Sequence, residues 1–280
     1  MKKQKLKSSD SEKMTQMLAA QAELEKDGRF DEDVDTTPPW NGRPRKTDLV
    51  NKKITSKIKT GLGNFIAVRY YNHLFRTKQV VFAGAKGYEN LAGFTGGAIV
   101  TCNHCHSFDH YGAYLGLKKH FGRRFRLWKI VKEGNFHSGG ISGFLTRNCN
   151  TLPISDSPKT AAKCMRATET LLKQNKKIAV FPEQALWWYY RKPRPLKNGA
   201  FLLAAKFNAP IIPCFLTFSD ASGKDGKPRL GKDGQPVQEF TLNVLPLLRP
   251  DPNLSVKENT ESLKNENARL WQQCFAAAYL

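Results

Sequence analysis

From about residue 79 onward, short apolar runs alternate with stretches whose apolar positions recur at helical spacing. The short runs are rich in β-branched and aromatic residues, and they predict six strands, at residues 79–84, 96–103, 125–132, 176–183, 209–218 and 240–248. The helical spacing predicts helices between them, at residues 110–121, 159–174 and 198–208. Strands that alternate with helices imply an α/β fold with a mostly parallel sheet and helices on both faces.

The first part of the chain has a different pattern. Residues 1–47 are polar and end in TTPPWNGRPRK, whose prolines and glycine argue against regular structure. A short helix over residues 13–26 and partial disorder both fit this extension. Residues 48–79 form a basic segment, in which NFIAVRYYNHLF fits either a helix at a membrane interface or a core-packing helix with a basic outer face. We therefore divide the chain into an N-terminal extension at 1–47 and a domain at 48–280 with its core at 80–250.

Charge narrows the class of partner. The net charge of +21 implies an anionic partner such as nucleic acid, a phosphorylated small molecule or an acidic membrane surface. The excess lies in the body, because residues 1–46 carry 10 Lys and Arg against 9 Asp and Glu. The basic start lacks the apolar core of a secretory signal, and no run is long enough to span a bilayer. Six scattered cysteines are typical of a reducing compartment.

The stretch TCNHCHSFDH, at residues 101–110, concentrates the candidate chemistry. Cys102 and Cys105 form a CxxC after a predicted strand, which is where a redox pair would lie. The same cysteines with a histidine could bind zinc, although no second ligand pair follows downstream. The third interpretation pairs His104 with Asp109. Residues five apart on one helix point in different directions, so this pair meets only if His104 lies in a turn and Asp109 in the first helical turn.

A carboxylate beside an imidazole has a clear chemical use. It accepts a hydrogen bond from one ring nitrogen, fixes the tautomer and stabilises the imidazolium that forms when the other nitrogen takes a proton. The structural alternative is a histidine that caps the start of a helix, with Asp109 favoured there by the helix dipole. Both interpretations are open on these ten residues.

The downstream residues add a resemblance to a known family. NHCHSFD resembles the NHx4D box of the glycerolipid acyltransferases, the family that includes 1-acyl-sn-glycerol-3-phosphate acyltransferase and other lysophospholipid acyltransferases. VFPE, at 180–183, resembles the FPEG block of that family, and LKNGAFLLAAKFNAPIIPC, at 196–214, resembles its Lys-x-Gly, helix and Pro-Ile-Ile-Pro stretch. GFLTRNCNTLPIS lies where the family has its second block. The order and spacing agree over about residues 80–250.

The resemblance implies roles for individual residues and a glycerol-3-phosphate acyltransferase-like fold. It implies that His104 is the catalytic base and that Asp109 orients it. Glu183 matches the glutamate of the third block, while Gly199 and Pro213 match the fourth, in which Lys197 is the lysine. We expect Glu183, Lys197 and Gly199 to contribute to substrate binding. The resemblance implies no metal and no cofactor beyond acyl-CoA or acyl-carrier protein as co-substrate.

The departures from the family pattern concern the acceptor. The family continues its third block with Gly-Thr-Arg, whereas this chain has Gln184, Ala185 and Leu186, and the arginine of the second block is also absent. Those arginines bind the acceptor phosphate in the family. A nearby loop or helix can deliver a replacement cation. The candidates that we identify for this role are Arg191, Arg194 and Lys159.

The resulting prediction is a cytoplasmic acyltransferase that associates peripherally with the membrane. It would move a fatty acyl group to the hydroxyl of a lysophospholipid, with 1-acylglycerol-3-phosphate as the first candidate acceptor and phosphatidic acid as its product. Two alternatives stay open. One is a non-phosphate lipid acceptor, and the other is a basic module that binds anionic lipid or nucleic acid without chemistry. The His104 and Asp109 pair argues against the second, since phosphate binding alone does not need it.

Overall fold

The computed structural model describes residues 2–34, 47–223, 226–231 and 233–280. Its strands are β1 (Val81–Lys86), β2 (Ala98–Thr101), β3 (Leu127–Lys132), β4 (Thr151–Ile154), β5 (Lys177–Val180), β6 (Ile211–Asp220) and β7 (Gln238–Val244). Its helices are α1 (Lys2–Lys26), α2 (Ile54–Arg76), α3 (Asp109–Phe121), α4 (Glu133–His137), α5 (Gly140–Asn148), α6 (Pro158–Lys173), α7 (Gly199–Lys206) and α8 (Val256–Tyr279). All six strands predicted from sequence are present.

The strands form one sheet in the order β1-β7-β6-β2-β5-β3-β4. Neighbouring strands run parallel except β6 and β7, which pair antiparallel from Cys214 opposite Val244 to Asp220 opposite Gln238. The prediction of a mostly parallel sheet is therefore confirmed. The antiparallel pair arises where the chain leaves β6 through the glycine-rich and lysine-rich segment at 221–237 and returns directly alongside it.

Helices cover both faces of the sheet, as predicted. Successive side chains of a strand point to opposite faces, and in β2 the fully buried Val100 belongs to the core beneath α3 while its neighbour Ile99 belongs to the core beneath α6 and α7. Helix α8 also lies on the second face, where Trp271 packs on Phe215 of β6. A central strand buried on both faces explains why β2 reads as an uninterrupted apolar run.

Four elements were not predicted from sequence: β4, α4, α5 and α8. The C-terminal helix α8 carried a readable signal, because Ser255 and Glu258 form a capping box at its start. Its Asn267 is completely buried and accepts a hydrogen bond from the Thr101 hydroxyl at 2.6 Å. Helix α8 is thereby tied to the end of β2, the strand that leads into the TCNHCHSFDH stretch.

The basic segment at 48–79 contains α2, which packs along α5 and α3. Gly63 makes the approach to α5 possible, since a Cβ at this position would lie 2.6 Å from the carbonyl oxygen of Asn148. Further along the helix, the ring of Tyr71 stacks on Tyr111 of α3 with 3.9 Å between centroids. The other side of α2 leaves large apolar side chains exposed, namely Ile54, Ile58, Leu62, Phe65 and Tyr70.

The N-terminal extension begins with the helix α1, which continues to Lys26, the predicted end of the short helix. The division at residue 47 stays a prediction, and residues 35–46, which include the whole stretch TTPPWNGRPRK, are outside the described part of the chain. Among the described residues, no helix combines the length and the apolar character needed to cross a membrane.

Candidate active site

The TCNHCHSFDH stretch forms a turn at the carboxyl end of β2, between that strand and α3. Asn103 anchors the turn to the neighbouring strand β6, because its side-chain amide donates to the carbonyl of Leu216 at 3.1 Å and accepts from the amide of the same residue at 2.7 Å. In open α/β sheets, ligands bind beyond the carboxyl ends of the parallel strands. The turn therefore lies at the edge of the sheet where a site is expected.

His104 and Asp109 meet in this turn, as the predicted dyad requires. His104 Nδ1 lies 2.6 Å from Asp109 Oδ2, and the Asp109 side chain is completely buried while 24% of the His104 side chain is exposed. Asp109 is the first residue of α3, where the helix dipole favours a carboxylate, and its other oxygen accepts from the amide of His110 at 2.6 Å. With Nδ1 engaged by the carboxylate, Nε2 is the ring nitrogen available to a substrate.

Glu183 holds the same turn from behind. Its Oε2 accepts from the backbone amide of His104 at 2.9 Å and from the guanidinium of Arg194 at 3.0 Å, and its Oε1 accepts from the Arg194 amide at 2.9 Å. The side chains of Glu183 and Arg194 are 2% and 1% exposed. This corrects the expected roles of both residues. Glu183 positions the catalytic turn from beneath, and Arg194 is its buried partner rather than a cation open to a phosphate.

The other two proposed replacement cations also lie away from the groove. The guanidinium of Arg191 sits 3.7 Å from Asp220 and packs over the rings of Phe218 and Tyr279, near the end of β6. Lys159 is exposed on the first turn of α6. Neither side chain borders the cavity that contains His104. The sequence shows that Arg191 is near the third block and Lys159 near the second. It does not show which way either side chain faces in the fold.

A cavity of about 1810 Å³ is bordered by His104 and Asp109. Both Lys197 and Gly199 border it, and Gly199 begins α7; their role in substrate binding stays a prediction. The part of the lining that α2, α3, β3 and α5 contribute, which we call the apolar arm, consists mainly of apolar and aromatic side chains, including Ala67, Val68, Tyr71, Leu74, Tyr114 and Leu145.

Sequence reasoning missed two cavity lysines, Lys129 and Lys132, both in β3. Lys129 lies two residues after Leu127 and so points to the same face, toward α3. Burial lowers the pKa of its ammonium. Among the described residues, no ion pair or hydrogen bond is found for this ammonium. The strand sequence LWKIVK contained a usable signal. A lysine within a buried parallel strand is rare unless it has a partner or a ligand, so Lys129 could have been identified as a candidate binding residue.

His106 and His110 differ from His104 in environment. Burial lowers the pKa of each to about 4, only partly opposed by the carboxylate of Asp109, so both imidazoles are neutral near pH 7. The Nδ1 of His106 accepts from the amide of Phe108 at 3.0 Å, which agrees with the local hydrogen-bonding role that its position suggests. His110 Nε2 lies 3.0 Å from the hydroxyl of Tyr71.

The loop at 184–190 closes the site. Gln184 stands where the family has glycine, and its φ of 66° lies in the left-handed region that favours glycine. The loop contains the aromatic run LWWYY at residues 186–190. Its Trp187 is completely buried and packs as part of the core, whereas Trp188 and Tyr189 border the cavity. The amides of Trp187 and Tyr189 donate to the carbonyls of His104 and Cys105 at 3.1 and 2.9 Å. The loop therefore supports the catalytic turn as well as lining the groove.

The cysteines of the stretch do not form a disulfide. Cys102 and Cys105 are buried free thiols, and burial raises the pKa of both well above its usual value, which disfavours the thiolate that redox chemistry needs. Within the described ranges, no cluster of three or more His, Cys, Asp or Glu side chains is arranged to hold a metal ion.

Comparisons with known proteins agree with the family suggested by the motifs. Residues 80–217 match the family model described as Acyltransferase. Among solved structures, the chain is similar to the 1-acyl-sn-glycerophosphate (LPA) acyltransferase PlsC from Thermotoga maritima, with 19% identity and a TM-score of 0.48 over 78% of this chain and 79% of that one. No curated protein matches significantly. The segment 80–217, which holds the turn with His104 and Asp109 as well as Glu183, therefore belongs to the acyltransferase family.

Proposed function

We propose that this protein transfers a fatty acyl group from a thioester donor, acyl-CoA or acyl-carrier protein, to the hydroxyl of a lysophospholipid, with His104 as general base. The observation that carries the proposal is the 2.6 Å contact between His104 Nδ1 and the buried Asp109, at the wall of a cavity large enough for a lipid. Membership of the acyltransferase family supports the reaction class. We infer the identity of the base and of the substrates from the site.

The dyad accounts for each proton in such a transfer. His104 Nε2 takes the proton of the acceptor hydroxyl while the oxygen attacks the thioester carbonyl, and Asp109 stabilises the imidazolium that forms. When the tetrahedral intermediate collapses, the carbon–sulfur bond breaks and the imidazolium returns the proton to the leaving thiolate. An ester and a free thiol result, and His104 is regenerated without a covalent intermediate on the protein.

The apolar arm of the cavity is suited to a fatty acyl chain. Its walls are formed by side chains of α2, α3 and α5, such as Val68, Leu74, Tyr114 and Leu145. Burial of each methylene group contributes about 0.8 kcal/mol. A long acyl chain in this arm would hold its reactive carbonyl near the mouth, where His104 lies.

The acceptor phosphate requires a cation that is free to bind it. Lys129 meets this requirement better than Arg191, Arg194 or Lys159, because it borders the same cavity as His104 and its ammonium has no partner among the described residues. We infer that Lys129 contacts the acceptor phosphate, which favours 1-acylglycerol-3-phosphate. The missing family arginines favour the alternative, a lipid acceptor without phosphate.

The exposed face of α2 supports peripheral attachment to a membrane. Ile54, Ile58, Leu62 and Phe65 are each more than half exposed and follow one another at intervals of four, four and three residues, which places them on one stripe of the helix. Lysines and arginines but no carboxylates accompany them in the chain from residue 49 to 88. Such a helix is suited to lie in the interface of an anionic bilayer, parallel to its plane.

The experiment that tests the function is acyl transfer by the purified protein with a panel of lysolipids, with and without a phosphate monoester, and with acyl-CoA and acyl-carrier protein as donors. We expect transfer to phosphate-bearing acceptors, and a loss of about 10³-fold or more in His104→Ala. The matched control is His120→Ala at the far end of α3, which should retain activity. Turnover of His104→Ala close to that of the wild type would contradict the proposal.

The Lys129 assignment has its own test. Lys129→Met should raise KM for the phosphate-bearing lysolipid about tenfold and leave the rate with a lysolipid that lacks phosphate unchanged. An equal loss on both acceptors would mean that Lys129 supports the fold and not the acceptor. A non-catalytic basic module would instead show no transfer by the wild type, and binding of DNA or RNA that weakens steeply between two salt concentrations.

A further inference from the structure

The segment at residues 14–33, which we call the N-terminal strap, contributes to the wall of the cavity. Met14, Met17 and Asp33 border the cavity directly. Further contacts fix the strap to the loop at 184–197, among them a hydrogen bond from the Gln21 side chain to the Trp188 carbonyl at 3.1 Å. The strap thus forms one wall of the proposed active site, although it belongs to the polar extension and not to the family-matched segment.

The strap places carboxylates on cavity lysines. Asp31 lies 2.8 Å from the ammonium of Lys197, and Asp33 forms an ion pair with Lys132. Lys132 of β3 and Lys197, just before α7, are neutralised by these carboxylates. Lys129 of β3 is left for a ligand. The carboxylates therefore occupy positions where an external anion would otherwise bind these two lysines.

The carboxylates of the strap are held by exposed ion pairs, while hydrogen bonds from the buried Trp187 and Arg194 reach the carbonyls of Glu32 and Phe30. Side chains in the pairs Lys132–Asp33, Lys197–Asp31 and Lys192–Glu25 are all 35% to 63% exposed. Ion pairs in such positions are weak and are screened by salt. Apolar contacts come from Met14, which is buried, from Phe30, whose ring lies 5.7 Å from that of Trp187, and from Met17, Leu18 and Leu24, which are half-buried. Competing anions can replace the carboxylates of the strap in these exposed ion pairs.

Arg194 connects the strap to the catalytic turn. Its guanidinium donates to the carbonyl of Phe30 at 3.0 Å and to the carbonyl of His104 at 3.4 Å, in addition to its pairing with Glu183. Departure of the strap removes one of these acceptors and opens the cavity beside His104. The strap and the base are therefore in contact through one buried side chain.

From these observations we propose that the N-terminal strap is a displaceable lid. Asp31 and Asp33 hold Lys197 and Lys132 until the clustered phosphate groups of an anionic lipid surface take their place, and the cavity then opens toward that surface. A surface is favoured over a free anion because it presents many phosphates at once, which can replace three separate carboxylate contacts together. The effect on turnover rests on the proposed function, whereas the movement of the strap does not.

Limited trypsin digestion of the full-length protein tests the movement. Cleavage after Arg29, followed by mass spectrometry, is measured in buffer, with phosphatidylglycerol vesicles, with phosphatidylcholine vesicles, and with inorganic phosphate at the same phosphate concentration. We expect cleavage to accelerate about fivefold or more with phosphatidylglycerol alone. Unchanged cleavage with phosphatidylglycerol would overturn the lid. Equal acceleration by inorganic phosphate would overturn the role of a surface.

Charge variants separate the lid from general effects of the membrane. In Asp31→Asn/Asp33→Asn, cleavage after Arg29 should be about fivefold faster without any lipid. The matched control, Glu12→Gln/Asp27→Asn, removes the same charge from the same region without touching a cavity lysine, and should digest like the wild type. Equal digestion of the two double variants would overturn the assignment to Asp31 and Asp33.

An activity measurement completes the test. The Asp31→Asn/Asp33→Asn protein should transfer acyl groups without anionic lipid at about the rate that the wild type reaches with it. If every variant and the wild type lack transfer activity while the digestion pattern is as expected, the proposed function fails and the lid stands. If transfer is normal but neither lipid nor substitution changes digestion, the lid fails alone.

Discussion

Two walls of the same cavity are built in opposite ways. The catalytic turn of the proposed mechanism, at residues 103–110, is fixed by buried contacts to β6, to Glu183 and to the loop at 184–190, and its carboxylate, Asp109, is completely buried. The carboxylates of the N-terminal strap are fixed by ion pairs whose partners are at least 35% exposed, and a few hydrogen bonds to Trp187, Trp188 and Arg194 add to them. Buried polar contacts are costly to break, whereas exposed ones exchange with water and salt at small cost.

The rigid wall suits a role in orienting the reacting groups, and the weakly held wall suits a role in admitting a lipid to the cavity. In the proposed reaction, His104 as general base must keep its orientation to within a fraction of an ångström, which requires a rigid turn. A wall that lets a lipid enter has to move, and weak contacts suit that task. Four measurements on the turn and the residues that support it, and one on the strap, test this contrast. They follow in order of decreasing expected effect.

The largest effect is expected from removing the charge that orients the base. Asp109→Asn leaves the size of the side chain unchanged but no longer stabilises the imidazolium, so kcat/KM for acyl transfer should fall about 10³-fold. Steady-state kinetics and a circular dichroism spectrum measure activity and fold together. Asp220→Asn, an exposed carboxylate paired with Arg191, is the control and should retain activity. Loss of both activity and fold in Asp109→Asn would instead assign Asp109 a structural role.

Breaking the buried pair beneath the turn should cost stability. Glu183→Ala leaves Arg194 buried without its carboxylate and removes the acceptor of the His104 amide, so the free energy of unfolding should fall by about 3 kcal/mol or more. Urea denaturation measures it. Glu169→Ala, whose carboxylate pairs with Lys173 on the exposed face of α6, should change stability by about 0.5 kcal/mol or less. Similar costs for the two variants would contradict the contrast between buried and exposed contacts.

Acid should weaken the turn before it weakens the strap. The pKa of His106 and of His110 is about 4 in the folded protein, against about 6.5 when unfolded, chiefly because of burial. The unfolded chain therefore binds more protons between pH 6.5 and 4, and stability is lost as the pH falls through that window, by about 1–2 kcal/mol for each histidine at pH 5. Urea midpoints at pH 7 and pH 5 measure the loss. His106→Phe should reduce the slope, and an unchanged slope would argue against burial as its cause.

A gain of stability is expected at the residue that replaces the family glycine. Gln184 has a left-handed backbone conformation, which costs a residue with a side chain about 1–2 kcal/mol. Gln184→Gly removes this cost but raises the conformational entropy of the unfolded chain. The free energy of unfolding, measured by urea denaturation, should therefore rise by about 1 kcal/mol or less. Gln174→Gly, at the end of α6 where φ is −90°, is the control and should not stabilise. A stabilised control would point to an effect unrelated to backbone strain.

The smallest effect is expected in the strap. Asp33→Asn removes one exposed ion pair with Lys132, and the free energy of unfolding should change by about 0.5 kcal/mol or less. The change should disappear at 1 M salt, where surface charges are screened. Denaturation at low and high salt measures both. A loss comparable to that of Glu183→Ala would mean that the strap is an integral wall and not a weakly held one.

The sequence was sufficient for most of the fold because burial on two faces leaves a strong pattern. Strands such as β2 and β6 read as continuous apolar runs, and α6 carries a clear apolar stripe, so the α/β class and the order of elements followed. The elements that were missed carry weaker signals. β4 contains a proline and has only four residues, and α4 and α5 are short and glycine-rich.

Candidate site residues were predictable where chemistry and local spacing coincide. His104 and Asp109 are five residues apart, so a single turn decides whether they meet, and the structure brings them together. Arg191, Arg194 and Lys159 depended on which way a loop or a helix faces, and residue type does not encode that. Arg194 is buried because Glu183, eleven positions earlier, needs a partner beneath the turn. The pairing of Asp31 and Asp33 with cavity lysines joins segments about a hundred residues or more apart, which local patterns do not report.

The bond between Thr101 and Asn267 has a consequence for how the protein is made. The hydroxyl at the end of β2 finds its buried partner 166 positions later, on α8. During synthesis, the chain emerges from the ribosome with the histidine and aspartate of the turn long before the helix that underpins them. Contacts between such distant positions form late because the intervening loop must first be closed. A nascent chain halted before Asn267 would thus present the complete NHx4D box without its final support.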